Sequence, residues 1–265
     1  MRPLAFITGA SSGIGAEFAR RYAADGYDLF LVARREDRLR DLCHSLIEKY
    51  GICAEYASVE LSDRMAVNAL EERMKIMPNL EVLINNAGFG LGVPSFSQGA
   101  LEKHLAMLAV HIEVPLRLIH AALPTMLANG KGTIINVSSI AGFFVGSAGA
   151  MYCSTKAMMT NVSESLALEL RDHSLVVQAL CPGLTRTDFH EKLGWHDDDP
   201  RYARFMTVKE VVEYSLMYVR KHPHNVICIP GWKNKLVVMI ARLLPRRCLY
   251  MVIRYWKRHA ARARD

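Results

Sequence analysis

The sequence has no CxxC pair and no Cys/His grouping at zinc-ligand spacing, which argues against a zinc ribbon or a dithiol redox motif. Its six cysteines, Cys43, Cys53, Cys153, Cys181, Cys228 and Cys248, are scattered and fit reduced cytosolic thiols. No Pro/Gly/Ser-rich linker divides the 265 residues, a length that one α/β domain commonly reaches. Only five apolar residues, Pro3 to Ile7, precede Thr8, too few for the core of a signal peptide. No apolar run approaches a membrane span by inspection, so neither secretion nor bilayer crossing is expected.

Acidic surplus is also lacking. Ten Lys and Arg against one Asp fall between Lys233 and Asp265, a surplus of +9 that exceeds the +7 of the whole chain and leaves −2 for residues 1–232. The basicity belongs to a tail, which argues against nucleic acid as the partner of the main body. With 51% hydrophobic and 22% charged residues, that body reads as an ordinary globular domain with a large core.

What is present is a rhythm of apolar runs and helical patterns. Residues 3–8 form a short apolar run ending in Gly9-Ala10-Ser11-Ser12-Gly13-Ile14-Gly15, after which Phe18, Ala19, Tyr22 and Ala23 recur at helical spacing. A glycine turn between strand and helix lets a pyrophosphate approach the main chain at a helix N-terminus. The spacing Gly-x-x-x-Gly-x-Gly differs from the usual dinucleotide fingerprint. A second strand over 28–33 ends at Arg34-Arg35, where an acid would select a ribose 2′-hydroxyl and Arg suits a 2′-phosphate. Strands are expected over 53–58, 80–84, 132–139, 175–180 and 226–229. A long helix is expected over 101–127, and another helix starts near Thr207. Strands alternating with helices imply a parallel sheet with right-handed crossovers. The motif residues fall at carboxyl ends of strands, where open α/β sheets bind ligands.

Tyr152 and Lys156 lie four residues apart in a helical pattern, which stacks a phenol and an ammonium on one face. A nearby cation favours the phenolate, and each pKa unit of depression corresponds to about 1.4 kcal/mol. Taken alone, such a pair is common on solvated helix faces.

Together the residues 4–232 resemble the short-chain dehydrogenase/reductase family. The resemblance rests on Thr8-Gly9-Ala10-Ser11-Ser12-Gly13-Ile14-Gly15, Asn85-Asn86-Ala87-Gly88, Ser139 thirteen residues before Tyr152, Tyr152-x-x-x-Lys156, and Pro182-Gly183 with Thr187. It implies an α/β fold: one doubly wound Rossmann-type domain over 1–232 with a mostly parallel seven-stranded sheet; beyond the matched region, residues 233–265 read by themselves as a basic amphipathic helical extension. The resemblance implies hydride exchange between a nicotinamide and a carbonyl or alcohol. Tyr152 would transfer the proton, Lys156 would lower its pKa and hold the nicotinamide ribose, and Ser139, rather than Ser138, would bind the substrate oxygen. Thr8, Gly9, Ser11, Ser12, Gly13, Ile14 and Gly15 would surround the pyrophosphate. Asn86, Ala87 and Gly88 would line the adenosine half beside Glu60 and Leu61, and Pro182, Gly183, Thr185 and Thr187 the nicotinamide end. Arg34 with Arg35 points to NADP(H) over NAD(H). Glu60 stands where the family usually has Asp, and His111 where it usually has Asn. An imidazole that titrates near neutrality could serve a water relay in place of the Asn, or His111 could simply pack in its helix.

The segment 189–206 reads as a lid over the substrate or as a satellite core. Its Phe189, Leu193, Trp195, Tyr202 and Phe205, with Phe143, Phe144 and Met151, suggest an apolar carbonyl or alcohol substrate. A non-catalytic dinucleotide sensor is the rival, opposed by intact Ser139, Tyr152 and Lys156. A homo-oligomer in the cytoplasm is expected. Pro245 should split the tail into two short helices, which either pack on the domain or a partner subunit, or lie peripherally at the inner membrane surface.

Overall fold

A computed structural model describes residues 1–90, 96–145, 149–188, 202–251 and 253. Seven strands alternate with helices: β1 (Leu4–Thr8), α1 (Gly13–Ala24), β2 (Asp28–Ala33), α2 (Glu36–Tyr50), β3 (Ala54–Ser58), α3 (Arg64–Lys75) and β4 (Leu80–Asn85). Then come α4 (Leu101–Leu108), α5 (Val114–Ala128), β5 (Gly132–Val137), α6 (Ala150–Glu169), β6 (Leu175–Leu180), α7 (Val208–Lys221), β7 (Ile227–Cys228) and α8 (Trp232–Leu243). All strand pairs are parallel, in the order β3-β2-β1-β4-β5-β6-β7. The order reverses between β1 and β4, and that crevice is where an open α/β sheet binds its ligand.

Near-continuous apolar strands follow from burial on both faces. One layer packs Phe18, Leu39 and Val212 against Ile7, Leu31 and Ile84, and the other packs Leu70, Met74 and Leu118 against Phe6, Leu83 and Ile134. Buried polar side chains join the layers beneath the crevice. Asn85 donates to Asn136 at 2.9 Å, and Asn136 donates to Ser163 of α6 at 2.9 Å.

The expected single helix over 101–127 is divided. A π-helical segment, Ala109–Glu113, separates α4 from α5 and carries His111, as such single-turn irregularities often do at functional sites. By length and hydropathy the stretch Leu101–Ala128 could cross a membrane, contrary to the reading by inspection, but here 56% of its apolar window is buried inside the domain. It is apolar because it covers the sheet between β4 and β5. At the other end, α8 stops before Pro245 and helical turns resume at 246–251, the division the proline imposes.

Candidate active site

The glycine turn after β1 is folded tightly on itself. Gly9 has φ +65°, and a Cβ on Gly15 would sit 2.4 Å from the Gly9 carbonyl oxygen and 2.5 Å from Asn86 Nδ2, so position 15 admits only glycine. Asn86 holds this turn rather than facing outward: Nδ2 donates to the carbonyls of Thr8 at 3.0 Å and Gly9 at 3.1 Å. Thr8 Oγ1 accepts from the N–H groups of Asn86 and Ala87 at 3.0 and 3.1 Å and donates to Ile84 O. The ends of β1 and β4 are thus laced together at the reversal point, beside the N-terminus of α1 that Gly13, Ile14 and Gly15 open.

Arg34 and Arg35 diverge. Arg34 is exposed and reaches Glu60 at 3.4 Å, while Glu60 also accepts from Ser62. Partial burial would raise the Glu60 pKa, but Ser62 and then Arg34 hold it below its ordinary value. Arg35 turns over the glycine turn, with Nε 3.2 Å from Ser11 Oγ and Nη2 donating to Ser12 Oγ. Arg35 and Arg38 each donate to Asp188 Oδ2 at 2.8 Å. Partial burial opposes ionisation of that carboxyl, yet the Arg35 and Ser12 hydrogen bonds and the Arg38 charge keep it below the usual range. The adjoining cavity, about 460 Å³, is lined by Ser11, Ser12, Gly13, Arg20 and Arg38 among others. Arg38 and Asp188 escaped the sequence reading because their partners are 150 residues apart in sequence. Leu61 is not at the surface of the crevice but in the core.

Across the crevice, β5 ends in two serines that face opposite ways. Ser138 is buried, donating to Lys156 O at 2.7 Å and sharing a 2.8 Å bond with Thr160 Oγ1. Ser139 caps the 3-10 segment Ile140–Phe143 by accepting from Ala141 N–H at 3.1 Å, lies 3.5 Å from Pro182 O, and is hydrogen-bonded to Tyr152. Helix α6 presents Tyr152 and Lys156 on this side, with Lys156 Nζ 5.8 Å from the centre of the Tyr152 ring.

The electrostatics depart from the expected depressed phenol. Burial pushes Tyr152 up to about 12, against the lowering by Ser139. Burial pushes Lys156 down to about 8, and its Nζ donates to Val137 O at 2.8 Å rather than to the phenol. Desolvation disfavours charge on both groups.

His111 has no ring nitrogen to spare. Nε2 accepts from Phe89 N–H at 3.0 Å, which puts the proton on Nδ1, 3.1 Å from Thr155 Oγ1. Thr155 in turn donates to Tyr152 O at 3.0 Å. The ring packs edge-on against Phe89 and Tyr152, and a Cβ on Gly88 would meet Nε2 at 3.0 Å. Burial first, then the Lys156 charge, holds its pKa well below 6.5. This corrects the expectation of an imidazole titrating near neutrality beside a water. Thr155 was missed because a threonine inside a helical pattern carries no chemical signal of its own.

In the segment after β6, Thr185 is buried and donates to Gly183 O at 3.1 Å, and Thr187 donates to Thr185 O at 3.3 Å. A Cβ on Gly183 would strike Asn234 of α8 at 2.4 Å. Tyr202 and Phe205 are buried and pack edge-to-face at 5.1 Å, as in a satellite core. Phe189, Leu193 and Trp195 lie outside the described residues.

A doubly wound parallel sheet with a glycine turn at its reversal point and a Ser/Tyr/Lys group opposite defines a dinucleotide-dependent oxidoreductase. The short chain dehydrogenase family model matches residues 3–197, and the chain belongs to this family. It is 32% identical over 230 residues to an NADP-dependent 3-hydroxy acid dehydrogenase of Schizosaccharomyces pombe, covering 83% of this chain and 88% of that one. A short-chain dehydrogenase from Sphingobium yanoikuyae in complex with NADPH superposes with TM-score 0.81 at 31% identity, covering 94% and 95% of the two chains. The bulky-bulky ketone specific alcohol dehydrogenase from Comamonas testosteroni does so with TM-score 0.79 at 30% identity, covering 91% and 92%. The chain is an NAD(P)-dependent enzyme acting on carbonyl or CH–OH groups, and the reading as a non-catalytic sensor gives way to this one.

Proposed function

We propose that the enzyme prefers NADP(H) and interconverts an apolar ketone or aldehyde with its alcohol. The observation that carries the cofactor preference is the anion held by Arg35, Arg38 and Ser12. Those donors already bind the Asp188 carboxylate, and a ribose 2′-phosphate offers the same charge with more acceptor oxygens. Similarity to an NADP-dependent dehydrogenase and to an NADPH complex supports it. For the substrate, Phe143 and Phe144 end the 3-10 segment that Ser139 caps, and one structural relative is named for bulky ketones.

In this mechanism the bound nicotinamide supplies or accepts the hydride. Ser139 and Tyr152 hold the substrate oxygen, and Tyr152 gives it a proton during reduction. A phenol with its pKa at about 12 is fully protonated at neutral pH and ready to donate. The Lys156 ammonium then stabilises the phenolate that remains. His111 and Thr155 keep α6 in place against residues 88–89, so that Tyr152 and Lys156 face the crevice. Exposed Leu101 and Leu105 on α4 and Met158 and Leu168 on α6 support a homo-oligomer.

The test is nicotinamide absorbance across bulky ketones and alcohols with each cofactor. Tyr152→Phe should abolish turnover and leave NADP(H) binding intact, because only the proton-bearing oxygen is removed. A Phe variant retaining most of the wild-type rate would refute the proton role, and equal affinity for NAD(H) would refute the preference.

A further inference from the structure

Helix α8 is inside out for a surface helix. Its inward side is short: Val238 and Ala241 are buried, and Asn234 donates to Pro230 O at 2.7 Å. The opposite side carries Trp232, Leu236, Met239, Ile240 and Leu243, all exposed, with Trp232 at 70% and Leu243 at 76%. At 3.6 residues per turn these five positions fall within an arc of roughly 100°, the width expected of a face that buries against something. Lys233 borders one edge of the arc, and Lys235 and Arg242 the other. Beyond Pro245 the helical turns at 246–251 add exposed Arg246, Arg247, Tyr250 and Met251.

The helix is fastened in this orientation. Lys235 Nζ donates to Tyr214 OH at 2.6 Å, and the Arg242 guanidinium lies 4.8 Å from the centre of the Phe143 ring. The apolar arc is therefore a fixed face of the domain, beside the 3-10 turn that follows Ser139.

We propose that this face docks on an anionic membrane surface, with Trp232, Leu236, Met239, Ile240 and Leu243 at the level of the acyl boundary and Lys233, Arg246 and Arg247 among the lipid headgroups. Charge selects this occupant over a second copy of the chain. No Asp or Glu occurs between Lys233 and Arg264, so two such faces brought together would set Lys233, Lys235, Arg242, Arg246 and Arg247 against the same five cations with no carboxylate from that stretch to offset them. An anionic surface supplies that charge, and a basic rim around an apolar stripe is the arrangement of an interfacial helix. Docked this way, the rim of the catalytic cleft at Phe143 lies next to the lipid.

The full-length protein is sedimented with phosphatidylcholine vesicles, with and without phosphatidylserine, and sized in parallel. It should pellet with the anionic vesicles at low salt and release as the Debye length shortens from ~10 Å at 0.1 M to ~3 Å at 1 M. Leu236→Asp with Leu243→Asp should weaken binding at least tenfold while turnover of a soluble ketone stays at the wild-type level. Arg246→Glu with Arg247→Glu should do the same, at about fivefold per cation removed. Failure to pellet with anionic vesicles at low salt overturns the proposal. So does unchanged binding by the Asp pair, and so does a fall in oligomer size in the Asp pair without any vesicle binding, which would assign the face to a second copy.

Discussion

His111 shows how a single side chain can hold a place without titrating in it. Its Nε2 must accept from Phe89 N–H, so protonation would set two donors against each other, and burial already holds its pKa well below 6.5. The sign follows: with the folded pKa below the unfolded one, His111 contributes stability that is present above about pH 6.5 and is lost as pH falls below it. His111→Leu leaves Phe89 N–H and the Thr155 hydroxyl without their partner, at about 1–3 kcal/mol for each group that finds no substitute. We expect a lower Tm at pH 7, a shallower decline of Tm between pH 7 and 5 than in the wild type, and a reduced kcat that His111→Asn partly restores. A Leu variant with wild-type Tm and kcat would remove the clamp from the account. Lys156 carries the pH dependence instead. Below about 8 it is charged and stabilises the Tyr152 phenolate formed on proton donation, so carbonyl reduction should decline above that pH. A kcat profile flat to pH 10 would count against this role. On the cofactor side, Arg35→Ala should lose roughly 1.5–3 kcal/mol of NADP(H) binding with NAD(H) unchanged, and Arg34→Ala much less, since Arg34 faces Glu60. Asp188→Ala should tighten NADP(H) alone, because its carboxylate competes for the same guanidinium groups; titration of each variant with both cofactors separates these outcomes.

At the level of elements, strands were legible where apolar runs met turn residues. β2 and β6 match the runs from Asp28 and Leu175, and β1 and β5 lie within those from Pro3 to Thr8 and Gly132 to Ser139, because a strand buried on both faces leaves no polar gap to misread. The long helix was legible as helix but not as two. Nothing in Leu-Ala-Val-His-Ile-Glu-Val announces a π turn, and the turn carries the His111 that bonds both Phe89 and Thr155. Sequence spacing likewise placed Ser139, Tyr152 and Lys156, whereas the partners that position them, Asn136, Thr155 and Ser163, are common residues whose meaning is purely tertiary. The N-terminus of α7 was partly legible at Thr207. There the structure closes a capping box, with Glu210 N–H donating to Thr207 Oγ1 at 3.2 Å and Thr207 N–H donating to Glu210 at 2.7 Å. Thr207→Ala should cost about 1 kcal/mol, read as a shift in the urea midpoint with unchanged slope; no shift would mean that packing of Val211 and Val212 alone sets this helix.

On the scale of the molecule, one domain carries two unlike surfaces: a crevice at the carboxyl ends of β1 and β4, and a basic apolar helix appended at its rim. The crevice is built from segments far apart in sequence, since the glycine turn, Asn86, Arg35 and Asp188 meet only when β1, β2, β4 and the segment after β6 are all in place. Cofactor binding should therefore stabilise the whole fold rather than a local patch. At a concentration of one hundred times Kd, a ligand that binds only the folded chain adds about 2.7 kcal/mol. For a chain of this size each kcal/mol raises Tm by roughly 2–4 °C, so saturating NADP+ should raise it by about 5–10 °C. At the same concentration NAD+, without the phosphate for Arg35 and Arg38, should give a much smaller shift. In Arg35→Ala the two shifts should converge, because that variant loses the contact that distinguishes them. Thermal denaturation of both proteins with both nucleotides checks this without turnover or a known substrate. Equal shifts in the wild-type enzyme would move the selectivity away from the Arg35, Arg38 and Ser12 cluster.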